Sequence, residues 1–331
     1  MDIEEMVALS VKHKAGDLHL CSDHSPFWRR EGRLEKIRGC QPLSAAALDA
    51  LARAWLDTAQ QAELQSRGQV DLALTMADGT RLRANFFQQR LGLSLAMRVI
   101  ACDCPSLASL RLPPAVSALL QLREGLVLVT GATGSGKSTT LAALTGALNA
   151  QQDRHIITLE DPIEFIHHSQ QSLIQQREIG RHCASFSEGL RGALREDPDV
   201  ILLGEIRDGE TIRLALTAAE TGHLVLATLH TRDAAQATER LIDAFPGEEK
   251  SMIRSQLAGS LRAVIAQRLV PSKQAGRVAL FEVLLNSTAV ANLIREGKTY
   301  QLPATLQTGM QAGMQTFEQS LAERRRQGLI D

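Results

Sequence analysis

The rhythm of hydrophobic positions changes about a third of the way along the chain. Up to residue 100, short alternating stretches mix with helix-spaced ones. Ile3, Met6, Val7 and Val11 recur at helical spacing, Asp17-Leu18-His19-Leu20 alternates as a strand, and Leu48, Leu51, Trp55 and Leu56 share one face of a predicted helix from Ser44 to about Leu64. Val70-Asp71-Leu72-Ala73-Leu74 and Thr80 to Phe87, joined by the turn Ala77-Asp78-Gly79, predict a hairpin, and Leu93 to Ile100 predicts a third strand. Beyond that the pattern becomes continuous apolar runs separated by helical stretches: Gly125 to Thr130, His155 to Leu159, Val200 to Leu203 and Leu224 to Leu229. Strands apolar on both faces with helices between them imply a parallel sheet covered on both sides. Prolines 105, 113 and 114 withhold backbone donors, so residues 102–114 read as a linker between an α+β domain over 1–101 and an α/β domain over 115–331.

Composition narrows the function. Lysine and arginine total 36 against 37 acidic residues, a net charge of −1, and aromatic residues are 3% of the 331. Neither a phosphodiester-holding field nor stacking platforms are in evidence, so no nucleic-acid partner is expected. The acidic start Met1-Asp2-Ile3-Glu4-Glu5 has the wrong sign for a signal peptide, and no apolar run approaches the ~20 residues that span a bilayer. A cytoplasmic protein without a transmembrane segment is expected. The five scattered cysteines do not form a disulfide framework, and Cys102 with Cys104 has no Cys/His pair nearby to complete a tetrahedral metal site.

The strongest chemical signal is Gly131-Ala132-Thr133-Gly134-Ser135-Gly136-Lys137-Ser138-Thr139. A predicted strand precedes it and a helix rich in leucine and alanine follows, which lets unpaired N–H groups at the helix start converge on phosphate oxygens. Lys137 can reach the β and γ phosphates, and the Ser138 hydroxyl can bind Mg²⁺. A chance match of this pattern arises in about one chain in a hundred of this length, and the flanking elements make chance a poor explanation. A nucleotide and Mg²⁺ are therefore the expected ligands, though the loop alone does not separate an ATPase from a kinase or a GTPase.

Three further clusters fall at the ends of predicted strands, the edge where parallel sheets gather ligands. Leu159-Glu160-Asp161-Pro162-Ile163-Glu164 can hold Mg²⁺ or orient a water, although a polar strand exit would look the same. Val200 to Leu203 runs into Gly204-Glu205-Ile206-Arg207-Asp208, with glycine where a Walker B motif usually has aspartate. Glu205 is the candidate for Mg²⁺ or its water, against a surface ion pair. Thr221 to Thr231 carries His223 and His230; a lone histidine at a strand end is more often a hydrogen-bonding residue than a catalyst.

Taken in order, these four boxes resemble Walker A, Asp box, Walker B and His box of the secretion ATPases of type II secretion and type IV pili. Within that superfamily the chain is most similar to the PilT-type pilus-retraction ATPases, through Asp17 to Leu20, LRGALREDPD at 190–199, ETIRLALTAAETGHLVLATL at 210–229, AVANLIRE at 289–296 and GMQAGMQT at 309–316. The start near a retraction-type N-terminal domain and the lack of cysteine after Cys183 favour that branch over relatives with a longer N-terminus and a four-cysteine insertion.

The resemblance implies an N-terminal PAS-like α+β domain, a C-terminal RecA-like P-loop ATPase domain with a mostly parallel sheet, and a homo-hexamer. It implies an ATPase powering pilus retraction or twitching motility through an inner-membrane platform protein, at the cytoplasmic face of that membrane, with a second pilus ATPase as a further partner. It carries catalytic roles onto Glu164 and Glu205, γ-phosphate contact onto His223 and His230, a secondary role onto Glu220, and charge neutralisation by the N-terminal domain onto Arg83 and Arg98. The chain departs from the family pattern in three places. Val290 and Ala291 replace isoleucine and arginine, Leu91 stands where an arginine is common with Arg90 beside it, and the chain stops at Asp331. Two other readings follow: an accessory or regulatory paralogue that binds nucleotide with little hydrolysis, and a DNA-translocating ATPase.

Overall fold

The computed structural model describes residues 3–13, 15–30, 33–100, 104–274 and 276–331. It divides the chain into two units, Met1–Asp103 and Cys104–Asp331. In the first unit, β1 (Asp17–Cys21), β2 (Phe27–Arg30), β3 (Arg33–Lys36), β4 (Gln69–Thr75), β5 (Arg81–Gln89) and β6 (Gly92–Ile100) form one antiparallel sheet in the order β3-β2-β1-β6-β5-β4. Met6 and Val7 from the opening helix and Leu48 and Leu64 from later helices share its core with Leu20, Leu82, Phe86 and Leu95. The opening helix Ile3–Lys12 buries Met6, Val7 and Ser10 and leaves Val11 exposed.

The single helix predicted from Ser44 to Leu64 is two, Ala45–Trp55 and Thr58–Arg67. Asp57 and Gln60 explain the break: Gln60 N donates to Asp57 Oδ1 at 2.8 Å and Asp57 N to Gln60 Oε1 at 3.1 Å, a reciprocal cap that starts a new helix. Leu56 turns extended at the break and is buried. Strands β2 and β3 were not anticipated, because Arg29, Arg30, Arg33 and Lys36 interrupt any apolar alternation.

The second unit carries β7 (Gly125–Thr130), β8 (His155–Glu160), β9 (Leu173–Glu178), β10 (Val200–Leu203), β11 (Leu224–Leu229), β12 (Leu261–Pro271) and β13 (Arg277–Leu285) in the order β13-β12-β7-β11-β10-β8-β9. Every neighbouring pair is parallel except β12 with β13. The apolar runs serve two cores at once. Val127, Val129, Ile156, Leu202 and Leu226 face Leu141, Leu144 and Leu148 of the helix Lys137–Gln151, while Leu126, Leu128, Ile157, Ile201 and Val225 face Ile212 and Leu216 of the helix Gly209–Glu220 and Leu257 of the helix Lys250–Ser260. This is the RecA-like arrangement, with antiparallel β13 on one edge.

Of the residues read as a linker, 102 and 103 lie outside the described residues, Cys102 among them. The remainder is part of the second unit and is not a free connector. Cys104 Sγ lies 3.2 Å from Ala142 O, and the helix Leu107–Leu110 packs on Lys137–Gln151. Proline misleads here because Pro114 opens the helix Pro114–Ala118, where a missing N–H costs nothing.

Candidate nucleotide site

Parallel strands β7, β8, β10 and β11 end at one edge, and each carries one box past that edge. After β7 the chain turns through residues 131–136 into the helix Lys137–Gln151. No side chain caps that helix, so its first N–H groups are left for an anion. Ala132, Thr133 and Gly134 form the exposed crest, Ser135 and Lys137 are buried, and Ser138 and Thr139 are half-buried. Gly136 has φ 89°, and a Cβ there would meet Gln267 Nε2 at 2.8 Å; a Cβ on Gly131 would meet Gln267 O at 2.5 Å. Both glycines let the loop lie against β12.

Lys137 Nζ donates to Gly131 O at 3.0 Å and Ala132 O at 3.1 Å, and lies 3.5 Å from His230 Nδ1. Burial pushes its ammonium below the ordinary lysine value, and the charges of Glu205 and Glu164 push back. Glu205 Oε1 lies 3.0 Å from His230 Nε2, and Arg207 Nη2 donates to Glu205 Oε2 at 2.6 Å. Burial alone would raise the Glu205 carboxyl, but Arg207, His230 and Lys137 outweigh it and hold it below the usual glutamate value. His230 is shifted down, by burial first and then by Lys137, against the pull of Glu205. A neutral ring with its proton on Nε2 fits these partners: it donates to Glu205 and turns the Nδ1 lone pair toward Lys137. The set is one relay, Lys137–His230–Glu205–Arg207, lying across the mouth of the phosphate loop.

Gly204 stands where aspartate is usual because β8 passes close by. A Cβ there would lie 3.2 Å from Leu159 O and 3.3 Å from Glu160 Cα. Glu160 accepts from Thr158 Oγ1 at 2.6 Å and Gln176 Nε2 at 3.1 Å, and burial pushes its carboxyl up. Glu178 Oε2 accepts from Ile163 N at 3.1 Å and so fixes the turn that presents Glu164.

Within the second unit the structure does not bring every candidate to this edge. His223 precedes β11, and its carbonyl accepts from Gly125 N at 3.0 Å, at the start of β7. Six strand residues at ~3.3 Å each put it ~20 Å from the phosphate loop of its own chain. Its Nδ1 lies 3.1 Å from Ala218 O, so within one chain His223 stands at the opposite edge of the sheet and does not reach the phosphate loop. Glu220 is at that opposite edge too, accepting from Gln256 Nε2 at 3.0 Å. Arg83 and Arg98 sit opposite each other on β5 and β6, both exposed, and Arg98 Nε donates to Asp17 Oδ1 at 2.7 Å. Arg207, Thr130 and Thr231 join the site without having been singled out from sequence; Arg207, two residues after Glu205 in a loop, had only its spacing to mark it.

Comparison with known proteins covers the chain from end to end. The chain is 45% identical over 330 residues to the type IV pilus retraction ATPase PilT of Pseudomonas aeruginosa, covering 100% of this chain and 96% of that one. It is 60% identical over 330 residues to the uncharacterized protein YggR of Escherichia coli K12, covering 100% of both. The solved structure of the pilus retraction motor PilT with bound ADP superposes with a TM-score of 0.92 at 39% identity, over 100% of this chain and 95% of that one. Residues 2–329 match the family described as Type II/IV secretion system protein, and the chain belongs to that family.

Proposed function

We propose that the chain is a motor subunit that binds MgATP, hydrolyses it, and works as a homo-hexamer on an inner-membrane pilus platform protein to power pilus retraction or twitching motility. The protein is an ATPase of the secretion family, and its relative PilT holds ADP in a structure that this chain matches over its whole length. The observation that carries the reading is the convergence of Lys137, His230 and Glu205 on the Gly131 loop. A phosphate placed on the uncapped helix start would draw Lys137 off its two carbonyl partners and meet the neutral face of His230.

Ser138 and Glu205 offer hard oxygen donors suited to Mg²⁺, which takes one or two protein oxygens and keeps waters and phosphate oxygens for the rest. Ser138 and Glu205 would hold the ion together with phosphate oxygens of the nucleotide. When bound, the ion supplies positive charge against the phosphate chain. Lys137 then binds the phosphates, Glu205 and Glu164 orient the attacking water, and Arg207 keeps Glu205 ionised. Arg83 and Arg98, cations on an exposed sheet face, supply charge to the transferring phosphoryl group. No helix among the described residues is long and apolar enough to cross a membrane.

Steady-state ATP hydrolysis across a protein concentration series, beside Lys137→Ala, tests the proposal. Specific activity should rise with concentration and vanish in the variant. A second reading, a nucleotide-binding accessory paralogue, draws on the segment 289–296. There Val290 and Ile294 are buried on the helix Thr288–Arg295, so valine keeps the packing, while half-buried Ala291 offers no cation. Nucleotide binding without turnover at any concentration would favour it.

A further inference from the structure

One buried hydroxyl ties the residue before the phosphate loop to the residue after His230. Thr130 closes β7 and is 0% exposed. Its Oγ1 lies 2.8 Å from Thr231 O, 3.2 Å from Leu229 O and 2.6 Å from Thr231 Oγ1, and it accepts from Thr231 N at 3.0 Å. A threonine hydroxyl has one proton and two lone pairs, so this one spends its whole capacity on the residues flanking His230. On the other side, Thr228 Oγ1 donates to Gly204 O, and Ile206 N donates to Thr228 O at 3.1 Å. The end of β11 is held to the phosphate-loop strand by Thr130 and to the acidic strand by Thr228.

His230 depends on such a bracket. Its side chain is 43% exposed, so packing does not lock it, and its distances to Lys137 and Glu205 are inherited from the backbone on either side. We propose that Thr130, acting through Thr231, is a positioning residue for hydrolysis that sets His230 between Lys137 and Glu205. The proposal rests on the reading of His230 as a group serving the γ-phosphate. Thr130 touches no substrate; it fixes the geometry of a residue that does.

The test uses the full chain, steady-state ATP hydrolysis, and binding of a fluorescent N-methylanthraniloyl ADP probe. Thr130→Val keeps shape and burial but removes donor and acceptor, whereas Thr130→Ser keeps both. Because misplacing a catalytic group by under an ångström costs roughly tenfold or more, Thr130→Val should lower kcat about tenfold with KM and probe affinity within about twofold of the parent. Thr130→Ser should recover turnover to within about threefold. In a His230→Ala background, Thr130→Val should cause no further loss, since two residues acting through one group are not additive. An equal loss in that background, or affinity and kcat falling together, overturns the proposal by showing that Thr130 acts elsewhere. His230→Ala turning over like the parent removes the underlying reading of His230, and the proposal with it. Should Thr130→Val not fold, Thr130→Ala removes the same donor and acceptor without the second γ-methyl; a kcat loss that is absent in the His230→Ala background supports the same bracket, and parent-like turnover overturns it.

Discussion

Placing the usual Walker B aspartate at position 204 should damage this protein. A Cβ on Gly204 would come within 3.2 Å of Leu159 O and 3.3 Å of Glu160 Cα, and both are backbone atoms of β8, to which Gly204 N already donates at 2.8 Å. Backbone in a seven-stranded sheet yields little, so the added carbon carries an overpacking cost of about 1–3 kcal/mol. Restricting the unfolded chain returns about 0.4–1 kcal/mol, leaving Gly204→Ala about 1 kcal/mol less stable. Gly204→Asp adds a carboxylate against the Leu159 carbonyl, for about 3 kcal/mol in all. At roughly 2–4 °C per kcal/mol for a unit of this size, the melting temperature should fall by about 3 °C for alanine and about 9 °C for aspartate. Because β8 leads into Asp161 and Glu164, turnover should fall more steeply than stability. Calorimetry with ATPase assays on the same samples decides it: an aspartate variant that melts with the parent and hydrolyses normally would refute the steric account.

Glu160 makes a pH prediction. Its folded carboxyl is raised by burial, so its contribution is fully present below the unfolded value near 4.5 and is lost as pH rises through the folded value. Glu160→Gln keeps an acceptor for Thr158 and Gln176 and should flatten stability against pH above 4.5 in urea titrations. His223→Ala should leave ADP affinity within about twofold, since the residue stands ~20 Å from its own loop, whereas a large loss in calorimetric titration would return it to the phosphate. Arg83→Ala should reduce turnover with nucleotide affinity unchanged; equal loss of both would contradict a role confined to the transferring phosphoryl group.

Much of the site was legible because each box is local. The loop at 131–139 is contiguous, and four apolar runs ending in polar residues already place their ends at one edge of a parallel sheet. The same runs, serving a core on each face, mark the covered sheet. Strands β2 and β3 stayed hidden because charge breaks their alternation, and the helix break at Leu56 because an Asp57–Gln60 cap outcompetes continuous helical spacing. Proline at 113 and 114 suggested a connector where it starts a helix.

What sequence order alone determined, then, is which residue types follow which strand: the phosphate loop after β7, Glu164 beyond β8, Glu205 after β10 and His230 after β11. Only the tertiary structure decided which of them meet. Thr130 and Thr231 are far apart in the chain and their hydroxyls meet at 2.6 Å; Arg207 and His230 take the two oxygens of Glu205; Gly204 is small because β8 passes beside it. The two histidines of one box part company because a strand has direction. Residues at its two ends reach opposite edges of the sheet, however close they stand in sequence.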